Sequence, residues 1–380
     1  MLNLSTFSPQ GDVTEFAPLL EICSNLTILG LGEPTHGTRE AFQLKHRMIR
    51  ALAEGGLLRT VAFECGLANG RMIDEYIRGG TSTAEDAVIG QDYWCWSTTE
   101  IAALVEWLRL FNSRLPADER IAFYGIDVQR CEPAIPELSR LLEQSQPTMP
   151  AKLALHQRIS AGLTSLRDGE LEAGSAAARL LAEDLFEVAG QLPDFWPRML
   201  CLNLSRHIDC YLGSPEMFLA RRDEYMAATL REVTSGRPGL TALWAHNEHV
   251  ASNPDYFGSP SMGYWLRRDY GASYMSLGML FGSGSFRARG IRGAPVQIHE
   301  VPTAPSGFVE DELNGRPAQL LDVSSCGANR LRRYVGDRYD AAAAVQMPEL
   351  FSLDRPPSDF DLLAWIPEST PARPILRGDR

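Results

Sequence analysis

The stretch Leu26–Arg50, LTILGLGEPTHGTREAFQLKHRMIR, decides how the rest of the chain is read. An apolar run, Leu26 to Leu31, stops at Gly-Glu-Pro-Thr-His-Gly and turns into a charged, helix-patterned segment. The run has the length and neighbouring glycines of a buried strand, and Pro34 and Gly37 mark a turn at its end. Strand, loop and helix in that order point to an α/β sheet, where ligands bind at the carboxyl ends of strands. Glu33 and His36 are thereby expected to present a carboxylate and an imidazole to a substrate.

Outward from this stretch, Ala41 to Ala53 reads as a helix stopped by Gly55-Gly56, and Thr60 to Glu64 as a second strand that again ends in a carboxylate. Gly70 to Ile77 is helical. Thr99 to Phe111 spaces Ile101, Leu104, Val105, Leu108 and Phe111 as an amphipathic helix. Arg120 to Asp127 is a third strand ending in an acid. From Glu132 to about Ser235 strand signals vanish, and helical patterns broken at Pro147–Pro150, Pro193–Pro197 and Gly213–Pro215 predict a helical cap or insertion, 132–235, within a single 1–380 domain. Leu240 to Ala245 is the next strand and runs into His246-Asn247-Glu248-His249. Ala272–Phe281, Gln297–Val301, Ala318–Ser324 and Tyr339–Met347 read as later strands, and the Pro-rich tail after Arg355 as loosely packed. The expected fold is α/β: a mainly parallel central sheet flanked by helices, with the long helical insertion mid-chain.

Composition narrows the functional classes. With 380 residues the chain is long enough for a sizeable core, and 44% hydrophobic with 22% charged residues is ordinary for a globular protein. A formal net charge of −12 and a pI near 5.2 argue against nucleic acid, whose phosphates need clustered Lys and Arg. No apolar run reaches the length of a membrane span, and the first residues lack the pattern of a signal peptide, so a cytoplasmic location and a small-molecule substrate are expected. Seven cysteines without C-x-x-C spacing fit reduced thiols.

Three early strands end at Glu33/His36, Glu64 and Asp127, and a fourth at His246 and His249. Two chemistries use such a set. A neutral imidazole takes a proton from water while a carboxylate fixes its other nitrogen; alternatively, Glu33, His36, His246 and His249 ligate a metal. The spacing departs from H-E-x-x-H on a helix, and activity without a bound metal or other cofactor is the expectation. No G-x-S-x-G elbow is present, and Gly282-Ser-Gly284 lacks the remainder of a dinucleotide-binding loop.

The blocks LGEPTHGTREAF, VAFECG, CWSTTEIAALVEWLRLFN, FYGIDVQ, RRDEYMA, LWAHNEHV and SMGYWLRRDYGASYMSLGMLFGSG, in that order, resemble the erythromycin esterase family, which includes succinoglycan-biosynthesis-type homologues. The resemblance implies hydrolysis of a macrolide lactone by histidine-activated water in a deep cleft. Carried over, it makes His36 the general base, Glu33 and Glu64 the groups that position histidines and water, and His246 and His249 the groups that polarise the carbonyl. Where the family's resistance enzymes have an arginine on the following helix, Lys45 stands here, expected to hold an oxyanion or a carboxylate. Trp94 and Trp96 are candidates for an apolar substrate wall, and Asp127 for a group orienting a histidine or Lys45. Ring closure, elimination or acyl transfer on a similar metabolite, and ligand or metal binding without catalysis, are the rival readings.

Overall fold

In the computed structural model, which describes residues 2–3, 8, 10–144, 150–213, 215–256, 258–327 and 329–376, the strand Ile28–Leu31 (β1) lies in the middle of the sheet and is buried throughout. It leads through the Gly32–Thr38 loop into the helix Arg39–Glu54 (α1). Leu58–Gly66 (β2), Leu67–Ile77 (α2), Thr99–Asn112 (α3) and Ala122–Asp127 (β3) follow. Each of these contains the segment anticipated from the sequence or differs from it by a residue or two at an end.

Between β3 and the next strand run the helices Ala134–Gln144 (α4), Pro150–Arg167 (α5), Ala176–Ala189 (α6), Phe195–Tyr211 (α7) and Pro215–Gly236 (α8). Residues 145–149 and 214, on which two of the expected breaks fall, lie outside the described residues. Helices α4 to α7 close around an apolar core of their own, with Leu138, Ile159, Leu181, Leu185, Leu200 and Leu204 inside it. Helix α8 behaves differently: Met226, Ala227 and Leu230 pack it onto the sheet beside Ala62, Ile126 and Leu243.

Leu240–Trp244 (β4), Tyr274–Gly290 (β5), Val296–Val301 (β6), Gln319–Asp322 (β7) and Leu362–Ser369 (β8) complete the main strands. In space the order is β7-β8-β5-β1-β4-β2-β3, and every pairing from β8 through β3 is parallel. Antiparallel pairs appear where β7 meets β8 and where β6 folds back on the second half of β5. The carboxyl ends of β1, β4, β2 and β3 are therefore consecutive neighbours.

Two expectations are corrected. Within Tyr339–Met347 the chain is a helix, Ala341–Gln346, not a strand: alanines favour the helix and the Asp340 side chain accepts from the Ala343 N–H at 2.7 Å to cap it. The tail after Arg355 is not loose either. β8 lies within it, with Ala364, Trp365 and Ile366 buried in the sheet between β5 and β7. Pro367 is tolerated because β7 pairs only with Leu362–Trp365.

Candidate active site

The Gly-Glu-Pro-Thr-His-Gly loop is wedged between neighbours. A Cβ on Gly32 would come within 2.3 Å of Asn247 Oδ1, and one on Gly37 within 2.0 Å of the Arg287 carbonyl oxygen. Only glycine lets the loop pass this close to β5, and the fit fixes where Glu33 and His36 sit.

Glu33 is wholly buried. Its Oε1 lies 2.7 Å from His36 Nδ1, while Oε2 accepts from Lys45 Nζ at 2.9 Å and from Trp244 Nε1 at 2.7 Å. Burial alone would push its pKa up, but Lys45 and His36 outweigh it and hold the carboxyl below its usual range. An ionised Glu33 takes the Nδ1–H of His36, which turns Nε2 into the basic nitrogen. The His36 side chain is 14% exposed, faces a cavity, and has no side-chain hydrogen-bond partner beyond Glu33 among the described residues. Burial works against its charged form, yet Glu33, Glu64 and Asp337 raise the pKa above 6.5.

That cavity has a volume of about 320 Å³ and opens at the carboxyl ends of the four strands. His36, Glu64, Arg222, His246, His249 and Trp94 are among the residues that border it. Trp96 does too, although it is nearly all core, packed against Phe63 and Tyr93. Trp94 donates from Nε1 to Asp337 at 2.8 Å.

The other histidines are occupied. His246 Nε2–H donates to the Val335 carbonyl at 3.0 Å, and Nδ1 accepts from the Glu248 N–H at 3.3 Å, capping the turn Asn247–Val250. Burial first, then His36 and His249, depress its pKa well below 6.5, so the ring is neutral with both nitrogens engaged. His249 lies between carboxylates, with Nδ1 2.9 Å from Asp223 and Nε2 3.1 Å from Glu64. Burial opposes its charge, but Asp223 and Glu64 raise the pKa to about 10, and the imidazolium spends both protons on them. In this geometry both ring nitrogens of His246 and of His249, the two residues expected to polarise the carbonyl, are engaged by protein groups. The same engagement leaves neither with a nitrogen lone pair turned to the cavity.

Lys45 is fully enclosed, with Nζ beside Glu33, 3.4 Å from the Ala245 carbonyl and 4.3 Å from the Trp244 ring centroid. It holds a carboxylate, that of Glu33, and does not border the cavity. Asp127 reaches neither a histidine nor Lys45. It accepts from the backbone N–H groups of Val128 and Gln129 and from Arg222, and it is wholly buried behind that guanidinium instead of lining the cavity.

Arg222 and Asp223 of α8, inside the RRDEYMA block, also reach this cluster: Arg222 borders the cavity and Asp223 bonds His249. The usable signal was spacing: Arg222 stands four and eight residues before Met226 and Leu230, on the helix face that meets the sheet. Tyr256, Tyr334, Asp337 and Cys95 also border the cavity and had no sequence signal. Cys95 is a poor nucleophile, because burial, Glu33, Glu64 and Asp337 push its thiol well above the usual range. Cys65 is buried in the core with Phe63, on the side of β2 away from Glu64.

A mainly parallel sheet thus gathers a carboxylate-backed imidazole and a guanidinium around one cavity at its strand ends, which makes this an α/β protein with a polar cleft at the strand termini. The chain belongs to the erythromycin esterase family, whose model matches residues 58–369. The Escherichia coli protein erythromycin esterase type II is 33% identical over 123 residues, a match that spans 32% of this chain and only 28% of that relative. Among solved structures, a succinoglycan biosynthesis protein superposes with a TM-score of 0.83 at 18% identity, covering 98% of this chain and 96% of that one. A Bacillus cereus protein gives 0.82 at 17% identity over 99% and 96%. A histidine-to-asparagine variant of the erythromycin esterase EreC in its open conformation gives 0.72 at 16% identity over 97% of each chain. At these identities the structural likenesses establish the fold. No described helix is long and apolar enough to cross a membrane.

Proposed function

We propose that this protein is a hydrolase that opens a lactone or carboxylic ester with water activated by His36. The observation that carries the reading is the Glu33–His36 pair: one ring nitrogen is fixed by a buried, ionised carboxylate and the other is left to the cavity. Water gives its proton to Nε2 as its oxygen bonds to the carbonyl carbon, and the carbonyl electron pair moves onto oxygen. When the tetrahedral intermediate collapses, the carbon–alkoxy bond breaks and the imidazolium returns the proton to the departing alkoxide. Membership of the erythromycin esterase family supports an ester or lactone as the bond attacked. The volume of about 320 Å³ lies near the low end of the ~300–1,000 Å³ range of ligand pockets, which suits a small ester or one end of a larger macrolide-like molecule.

Single-turnover hydrolysis in ¹⁸O-water of a panel of macrolactones, small lactones and simple esters tests this. Label in the product carboxylate during the first turnover, with none on the protein, is expected. An acylated serine or cysteine, or label on an enzyme carboxylate, would replace water with a side-chain nucleophile. Because His36 must be unprotonated, kcat/KM should rise with pH through a midpoint above 6.5.

A further inference from the structure

The proposed hydrolysis needs a donor for the oxyanion, and the groups first in line are spent. Lys45 is sealed behind Glu33, and the ring protons of His246 and His249 go to Val335, Glu64 and Asp223. Three guanidiniums border the cavity, those of Arg130, Arg222 and Arg289, and of these Arg222 is the enclosed one, the other two being 39% and 42% exposed. Arg222, whose side chain is 13% exposed, donates from Nε and Nη2 to Asp127 at 3.1 and 2.8 Å, and from Nη2 to Glu64 at 2.8 Å. These contacts fix one edge of the guanidinium plane. Its Nη1 lies 3.2 Å from His249 Nε2, a contact that engages at most one of the two Nη1 hydrogens. The other Nη1 hydrogen has no protein acceptor among the described residues, and Arg222 and His36 both border the cavity.

We infer that Arg222 is the oxyanion-binding residue, presenting an Nη1–H to the carbonyl oxygen as water, deprotonated by His36, adds to the carbon. The inference rests on the hydrolase reading. Its physical logic is preorganisation: two buried carboxylates hold the fork in place before substrate arrives, so little reorganisation is needed when charge develops on oxygen. Lysine at this position would keep the charge but could not satisfy Asp127 and Glu64 and still extend a second edge into the cavity.

The test uses p-nitrophenyl butyrate as substrate and p-nitrophenyl propylphosphonate, its tetrahedral anionic counterpart, as inhibitor. Arg222→Lys is expected to lower kcat about 10²- to 10³-fold with KM nearly unchanged, and to weaken phosphonate inhibition by a similar factor. Guanidinium ion should restore part of the activity of Arg222→Ala. If Arg222→Lys turns over at the wild-type rate, or loses kcat while binding the phosphonate as tightly as before, Arg222 does not hold the oxyanion. A crystal structure of the unaltered protein with the phosphonate gives a readout independent of how the variants fold. It should place a phosphonyl oxygen about 3 Å from Nη1, and an oxygen held elsewhere overturns the inference. Failure of the unaltered protein to hydrolyse any ester or lactone of the panel would remove the hydrolase reading itself, and this one with it.

Discussion

The two ends of the histidine cluster are built from the same residue types and have opposite properties. At one end His36 has a single carboxylate partner and an open ring nitrogen; at the other His249 has a carboxylate on each nitrogen and nothing left to exchange. The number of partners is what separates them. An imidazole with one carboxylate is a stronger base, whereas an imidazole between two is a fixed cation that holds Glu64, Asp223 and the turn after β4 in place. His246, neutral and capped on both sides, is a third solution from the same element.

Substitution should break the comparison most visibly at His36. His36→Asn is expected to lower kcat about 10²- to 10⁴-fold while leaving thermal unfolding close to that of the parent, because Glu33 keeps Lys45 and Trp244 as partners. A variant that keeps more than about a tenth of the activity would move the base elsewhere.

His249→Asn should do its damage to the fold. Removing one member of a buried charged cluster typically costs about 3–5 kcal/mol, to be read from urea unfolding at pH 7. The pH dependence sharpens this. His249's folded pKa of about 10 lies above its usual 6.5, so its stabilisation is complete below 6.5 and is lost as pH rises towards 10. The parent should therefore lose stability between those limits, and His249→Asn should show a flatter curve. Identical curves would mean that His249 is neutral in the fold.

The smallest effect is expected at Lys45. Arginine is larger than the space around Nζ, so Lys45→Arg should cost about 1–3 kcal/mol by overpacking, again measured by unfolding. Its kcat should stay within about tenfold, since Lys45 acts on Glu33 and not on the reacting atoms. A hundredfold fall in kcat would put Lys45 back at the carbonyl.

Much of the site was legible in the residues. Glu33, His36, Glu64, His246 and His249 all end strands, and strand ends converge whenever a parallel sheet forms. Their roles were not legible, because a role depends on how many partners each ring nitrogen finds. Val335, which takes the His246 proton, lies 89 residues away, and Asp223, which fixes His249, lies 26 residues away on α8. Lys45 had the same difficulty: the resemblance offered an oxyanion or a carboxylate as its partner, and only packing showed it sealed behind Glu33.

By itself the sequence determined the strand–loop–helix register around Leu26–Arg50, because hydrophobic periodicity and glycine placement are local properties. It also determined which charged side chains sit at strand ends. The tertiary structure alone decided that β8, in a proline-rich tail, enters the sheet, since a proline is harmless only where no neighbour needs its N–H. It alone brought Arg222 from α8 to the wall of the cavity. Burial and hydrogen-bond satisfaction are settled between segments distant in the chain, and no local pattern encodes them.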